Sequence, residues 1–110
     1  MNKPTRFYSK KQETKVAKSL QGKRTANSGA TKFSKGDVRT KLFLVECKTS
    51  TRPKKSITIQ KEWLEKLEEE AFAMNKPYNA LTINFGEFTD YYVIEERLFK
   101  KLVRLLEEEE

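Results

Sequence analysis

The sequence contains no histidine, and this absence excludes several kinds of chemistry. Without histidine, the chain has neither the general base of a Ser-His-Asp triad nor a histidine ligand for zinc. A single cysteine, Cys47, likewise excludes an intramolecular disulfide and a cysteine-based zinc site. Any hydrolytic chemistry must therefore rest on carboxylates, lysine and a hard cation such as Mg²⁺.

The sequence also lacks a long hydrophobic run. No apolar stretch approaches the ~20 residues of a membrane span, and the basic N-terminus lacks the apolar segment of a signal peptide. We therefore expect a cytoplasmic protein with no membrane partner. The 110 residues suit one domain, which we take as 1–110, with a flexible basic arm at 1–10 and an acidic tail at 107–110.

Positive charge is concentrated in the first part of the chain. Residues 1–41 hold twelve Lys or Arg and two acidic residues, whereas the remainder holds eleven basic and fourteen acidic residues. A basic half is the usual electrostatic footprint of a polyanion, most often nucleic acid. A solubilising basic tail is the alternative interpretation.

Hydrophobic periodicity predicts seven elements in the order α–β–β–α–β–β–α. The first helix spans about 11–20, a basic loop with several glycines follows, and two strands at 36–40 and 41–49 form a hairpin. A second helix has Thr58 as its N-cap and Trp63 and Phe72 in the core. Two strands (78–86 and 90–96) and an amphipathic C-terminal helix complete a mixed α/β or α+β domain, with a central mixed sheet flanked by helices.

The second hairpin strand is apolar on both faces but ends in charged residues. Side chains two residues apart share a face of a strand, so Glu46 and Lys48 point the same way. A two-residue turn at 40–41 would pair Asp37 with Leu44 and place it one diagonal step from Glu46. The hairpin is thus expected to bring two carboxylates and one ammonium together.

This set of groups suits metal-dependent cleavage of a phosphodiester. Two neighbouring carboxylates repel each other, and a hard cation relieves the repulsion by taking oxygen ligands from both. The backbone carbonyl of Cys47 is a candidate third ligand. Mg²⁺ can lower the pKa of a bound water, and Lys48 can neutralise charge on the phosphate in the transition state.

The same residues resemble a known signature. "GD", eight residues, then "ECK" resembles the Asp…Glu-X-Lys pattern of the PD-(D/E)XK nuclease superfamily, with Gly36 in place of the usual proline. Residues 13–38 resemble the front of the Holliday-junction resolvase-like members of archaea and phages, and residues 49–85 are similar to their following helix and strand. The resemblance covers roughly residues 11–95.

The resemblance implies a restriction-endonuclease-like core and a role for each matching residue. Asp37 and Glu46 would be the main metal ligands, Lys48 the catalytic lysine, and Glu13 a first-helix glutamate that contributes to the metal site directly or through water. Gln60 falls where some members place a supporting glutamine, which makes it a DNA-binding candidate. A basic, glycine-containing loop beside a metal site also suits phosphate contact, which makes DNA-binding candidates of Lys23, Arg24, Ser28, Lys32, Lys35 and Arg39.

These observations favour a Mg²⁺-dependent, structure-selective endodeoxyribonuclease that resolves branched DNA such as four-way junctions, with Mn²⁺ able to substitute. Paired cuts by one active site per chain imply a two-fold homodimer, with the N-terminal segment contributing to its interface. Two alternatives stay open: another nuclease of the superfamily, acting in repair or restriction, or a non-enzymatic basic nucleic-acid-binding protein whose carboxylates are structural. For Glu13, the alternative to a metal ligand is an ordinary residue on the surface of the first helix.

Overall fold

A computed structural model describes residues 5–25, 38–50 and 52–108, with the backbone alone described for residues 5–10 and 49. Along these residues the elements are α1 (Thr5–Leu20), β1 (Lys23–Arg24), β2 (Val38–Arg39), β3 (Phe43–Thr49), α2 (Lys61–Ala73), β4 (Tyr78–Asn84), β5 (Asp90–Val93) and α3 (Glu96–Glu108). The predicted order of elements is confirmed, with the short strand β1 added. The fold is a mixed α+β arrangement.

The five strands form one mixed sheet in the order β1-β2-β3-β4-β5. β3 and β4 run parallel, and the other neighbouring pairs are antiparallel. β3 therefore occupies the centre, which agrees with the prediction of a central strand from its apolar residues on both faces.

Each face of the sheet carries its own hydrophobic cluster. On the face we call the α1 face, Val45 and Cys47 of β3 pack with Val16 of α1. On the opposite, α2 face, Leu44 packs with Leu67 of α2. Because successive side chains of a strand alternate between faces, Glu46 and Lys48 share the α2 face with Leu44.

The β2–β3 hairpin has a wider connection than the sequence predicted. Val38 pairs with Val45 and Arg39 with Leu44, so four residues (40–43) connect the paired positions instead of two. Thr40 closes this turn, since its hydroxyl accepts a hydrogen bond from the backbone N–H of Phe43 at 3.0 Å. The predicted two-residue turn is wrong, but a register shift of two residues leaves every side chain on the predicted face.

A tight turn at the end of α1 leads directly into the short strand β1. Gln21 adopts a left-handed conformation with φ of 55°, and the N–H of Gly22 donates to the Ala17 carbonyl at 2.8 Å. A Cβ at Gly22 would lie 2.6 Å from the Arg39 carbonyl oxygen, so only glycine permits this approach of β1 to β2. The helix begins at Thr5, earlier than the predicted start near residue 11.

Two predictions about α2 are wrong. The helix begins at Lys61 after Gln60, which makes no side-chain capping bond, so Thr58 is not its N-cap. Phe72 is 84% exposed and does not belong to the core, whereas Trp63 is half-buried against the α2-face cluster. Apolar spacing alone could not separate these two aromatic residues.

The C-terminal helix α3 is amphipathic as predicted, but most of its apolar residues are not covered. Leu98 is its one buried residue, and the whole of α3 is described. Among the described residues, no helix combines the length and the apolar character that crossing a membrane requires.

Candidate functional site

Glu46, in the middle of the central strand β3, and Lys48, near its C-terminal end, lie beside the apolar cluster of the α2 face. Their partners on the parallel strand β4 are Leu81 and Ile83, and Leu44 precedes them on the same face with no exposed surface. Both charged side chains are half-buried. A carboxylate and an ammonium beside a hydrophobic cluster cost desolvation energy, so this placement is typical of a functional constraint.

Lys48 is held against an aromatic ring. Its ammonium lies 4.5 Å from the ring centroid of Trp63, in the first turn of α2. Such a cation–π contact contributes about 0.5–1 kcal/mol at exposed sites and more where water is excluded. The contact orients the Lys48 side chain toward the beginning of α2, where backbone N–H groups favour anions.

Two cations lie directly opposite each other in the neighbouring part of the sheet. Lys23 of β1 pairs with Arg39 of β2, and Arg39 in turn pairs with Leu44. Paired residues share a face, so these cations lie on the α2 face together with Glu46 and Lys48. Like charges at directly opposed positions are unfavourable, and a bound polyanion would remove this repulsion.

Glu13 belongs to the other face of the sheet. Its carboxylate is almost fully buried and lies 3.4 Å from Nε of Arg24. Arg24 pairs with Val38, a member of the α1-face cluster, which agrees with this placement. The structure thus places Glu13 beside Arg24, with the sheet between it and the Glu46 side chain.

The turn of α1 that carries Glu13 is nevertheless attached to the end of β3. Nε2 of the neighbouring Gln12 donates a hydrogen bond of 3.2 Å to the backbone carbonyl of Lys48. A change at residues 12–13 can therefore be transmitted to the strand end that holds Lys48.

A cleft of about 580 Å³ opens beyond the C-terminal ends of β3 and β4, and its walls include neither Glu46 nor Lys48. Open α/β sheets commonly bind ligands beyond the carboxyl ends of parallel strands. The cleft is rich in polar and basic groups, and its walls comprise Lys11, Gln12, Lys15, Ser50, Arg52, Pro53, Asn84, Gly86, Glu87, Phe88 and Asp90. Lys15 forms an ion pair with Asp90 at 3.3 Å within it.

Asn84 shapes the rim of that cleft, and sequence reasoning missed it. Its side-chain oxygen Oδ1 accepts hydrogen bonds from the backbone N–H groups of Gly86 and Glu87, at 2.7 and 3.1 Å. Its amide nitrogen donates to the carboxylate of Asp90 at 2.9 Å. The "NFG" at the end of β4 was the available signal, because an asparagine side chain commonly accepts a hydrogen bond from the backbone N–H two residues later and so forms a turn.

Several predicted site residues fall outside the described part of the chain: Ser28, Lys32, Lys35 and Asp37. The side chain of Cys47 is buried in the α1-face cluster. This burial does not affect its proposed role as a metal ligand, which involves only the backbone carbonyl. Gln60 is exposed just before α2. Within residues 11–25, 38–50 and 52–108, no group of three or more acidic or cysteine side chains could hold a metal ion.

Tyr92 lies on the α1 face, opposite Thr82 of β4. Burial raises the pKa of its phenol above the ordinary 10.0, and the neighbouring Thr82 side chain offsets part of this increase. Nearby Asp90 and Cys47 add to the increase in pKa. The phenol is therefore protonated at neutral pH and cannot serve there as a general base.

Comparison of the chain with protein-family models, curated proteins and solved structures gave no match.

Proposed function

We propose that the chain is a Mg²⁺-dependent endodeoxyribonuclease that cleaves branched DNA, with the four-way Holliday junction as its substrate. The observation that carries this proposal is the position of Glu46 and Lys48 on one face of the central strand, with Glu46 at its middle and Lys48 near its C-terminal end. An acid that can hold a cation and a lysine that can contact a phosphate are the minimum set for histidine-free phosphodiester hydrolysis.

The basic side chains on the same face support DNA as the partner. Lys23 and Arg39 are opposed across β1 and β2 on the face that carries Lys48. A phosphodiester backbone presents regularly spaced negative charge, which offsets the repulsion between these cations. Phosphate contacts of this kind position the DNA without reading its sequence, as selection by DNA shape requires.

The described residues fit a hard cation only in part. Glu46 supplies carboxylate oxygen, which Mg²⁺ prefers, and the proposal requires Asp37 and the Cys47 carbonyl to complete the protein ligands. A bound Mg²⁺ would supply a water of lowered pKa. Lys48 would hold the scissile phosphate, and Trp63 would keep the ammonium in place.

A homodimer belongs to this proposal because resolving a four-way junction requires two nicks on opposed strands. One active site per chain then calls for two chains related by a two-fold axis. A single nick would leave a junction that relaxes and escapes the second cut.

The test is a cleavage assay on a labelled four-way junction and on a linear duplex of matched sequence, with Mg²⁺, with Ca²⁺ and with excess chelator. We expect paired nicks in the junction with Mg²⁺, binding without efficient cleavage with Ca²⁺, and no cleavage with chelator. Equal cleavage of the duplex would favour a repair or restriction nuclease. Binding without cleavage under every condition would favour a non-enzymatic DNA-binding protein.

A further inference from the structure

Helix α3 presents an apolar surface that the rest of the described chain does not cover. Phe99, Leu105 and Leu106 are 58%, 51% and 67% exposed, and Leu102 is 39% exposed. We call these four residues the α3 apolar surface. Phe99 and Leu102 are three residues apart, and Leu105 and Leu106 follow Leu102 by three and four residues, so the four side chains form a continuous stripe along one side of the helix.

This surface is continuous with an apolar groove of about 410 Å³ on the α1 face of the sheet. The groove is lined by Phe43 and Tyr92 of the sheet, by Leu20 of α1, and by Leu98 and Leu102 of α3. Leu102 belongs to both features. An apolar partner that covers the helix stripe can therefore extend into the groove.

The charges of α3 indicate which partner fits. The first half of α3 carries a net positive charge, because Arg97, Lys100 and Lys101 outnumber Glu96. Glu96 forms an ion pair with Lys100 at 3.2 Å within the chain. The acidic Glu107 and Glu108 occupy the last turn. An antiparallel second copy of α3 would place its acidic turn beside these cations, and a parallel copy would align like charges. The antiparallel arrangement also opposes the two helix dipoles favourably.

We propose that the α3 apolar surface and its groove form the interface of a two-fold homodimer, with the two α3 helices antiparallel across the axis. The stripe of each copy packs against that of the other, and the groove receives the C-terminal leucines. Such an isologous contact buries the same patch on both chains. The inference gives the homodimer of the proposed function its interface, and it does not depend on metal or DNA chemistry.

The first test measures the mass of the full chain by light scattering and sedimentation equilibrium at micromolar concentration, without DNA or Mg²⁺. We expect twice the 12.9 kDa chain mass. The double variant Leu105→Glu/Leu106→Glu should be monomeric with an unchanged circular dichroism spectrum, because both side chains are exposed within one chain. Phe72→Glu, which alters a more exposed apolar residue on α2, should leave the dimer intact.

A second variant tests the orientation of the helices. In the antiparallel dimer, Glu107→Gln/Glu108→Gln removes attractive pairs and should weaken dimerisation by about tenfold at low salt. In a parallel dimer the same change removes repulsion and would tighten association.

Three results would overturn the inference: a monomeric wild-type chain, a dimer that survives Leu105→Glu/Leu106→Glu, or tighter association after the glutamates are neutralised. A monomeric chain that instead floats with phosphatidylserine vesicles would assign the surface to a membrane. A monomeric chain would also contradict the paired nicking of a four-way junction in the proposed function, whereas a dimer that survives the leucine changes would contradict only the interface. Metal-dependent cleavage itself is tested separately, since the mass measurement requires no cleavage.

Discussion

Lys48 and Trp63 are linked by a cation–π contact, with the ammonium 4.5 Å from the centroid of the indole ring. The lysine comes from the central strand and the indole from the first turn of α2, fifteen residues later in the chain. Because Trp63 is the only tryptophan, its fluorescence reports directly on the surroundings of Lys48. This pair therefore makes the proposed site observable without any assay of activity.

DNA binding should change the emission of Trp63, because a phosphate that contacts the ammonium of Lys48 brings negative charge close to the indole ring. In Lys48→Met the apolar stem remains but the charge is lost, so we expect the DNA-induced change in emission to disappear. Cleavage should fall by about 10²-fold or more, since transition-state charge is no longer neutralised. A fluorescence titration with a four-way junction measures the first effect, and an emission change that persists in Lys48→Met would contradict it.

Trp63 should contribute to cleavage through the position of Lys48. Trp63→Leu removes a contact worth about 1–2 kcal/mol, so we expect cleavage to be slower by about tenfold, with most activity retained in Trp63→Phe. Phe72→Leu in the same helix is the control, because its exposed ring is far from the lysine contact and the change should leave the rate unaltered. Equal cleavage rates in Trp63→Leu and Trp63→Phe would show that the cation–π contact with Lys48 does not contribute to cleavage.

The opposed pair Lys23 and Arg39 should affect stability and DNA binding in opposite directions. Lys23→Gln/Arg39→Gln relieves a cross-strand repulsion, so the free energy of unfolding without DNA should stay constant or increase by up to about 1 kcal/mol. The slope of log affinity against log salt should fall by about two units, one for each phosphate contact removed.

Lys66→Gln is the matched control for this prediction. Its side chain on α2 pairs with Glu62 at 3.1 Å and is exposed, so its removal should leave the salt slope unchanged. Salt-dependent binding of both variants to a duplex and to a junction gives the comparison. An unchanged slope in the double variant would make Lys23 and Arg39 ordinary surface charges.

The ion pair of Glu13 and Arg24 should contribute to stability. Arg24→Gln leaves an almost fully buried carboxylate with a weaker partner, and we expect a loss of about 1–2 kcal/mol in the free energy of unfolding. Glu13→Gln/Arg24→Gln removes the buried charge as well and should recover part of the loss. Urea denaturation of both single variants and the double variant measures the coupling. Strictly additive losses would contradict a direct interaction.

The raised pKa of Tyr92 predicts a stability change in alkaline solution. Folding favours the protonated phenol, so this contribution is fully present below pH 10 and is lost as the pH rises through the higher folded-state value. In Tyr92→Phe, the free energy of unfolding should therefore fall less steeply above pH 10. Tyr91→Phe, on the opposite face of β5, is the control. Identical alkaline profiles for wild type and Tyr92→Phe would contradict the prediction.

The sequence predicted the sheet and the helices better than the contacts between them. β3 was recognisable because Leu44, Val45 and Cys47 make it apolar on both faces, which only a central strand tolerates. The length of the turn before it could not be predicted. The four-residue connection is closed by a hydrogen bond to the Thr40 hydroxyl, and the sequence does not show whether that bond forms. β1 depends on the close approach of Gly22 to another strand, a contact between residues distant in sequence.

Side-chain partners across the fold were the least predictable part of the site. The shared face of Glu46 and Lys48 follows from strand alternation alone. By contrast, the partners of Lys48 and Glu13 come from other elements, and no local pattern connects Lys48 with Trp63 or Glu13 with Arg24. The exposure of Phe72 has the same origin, since helical spacing identifies an apolar residue but not the width of the covered face.

The most direct test of the nuclease proposal uses Glu46→Gln, which keeps the shape of the side chain and removes its charge. On a four-way junction with Mg²⁺, we expect cleavage to fall by at least about 10²-fold, with DNA affinity equal to or higher than that of the wild type, because a negative charge beside the phosphate is lost. Glu62→Gln, an exposed glutamate on α2, should cleave at the wild-type rate. Wild-type cleavage by Glu46→Gln would contradict the assignment of the active site to this strand.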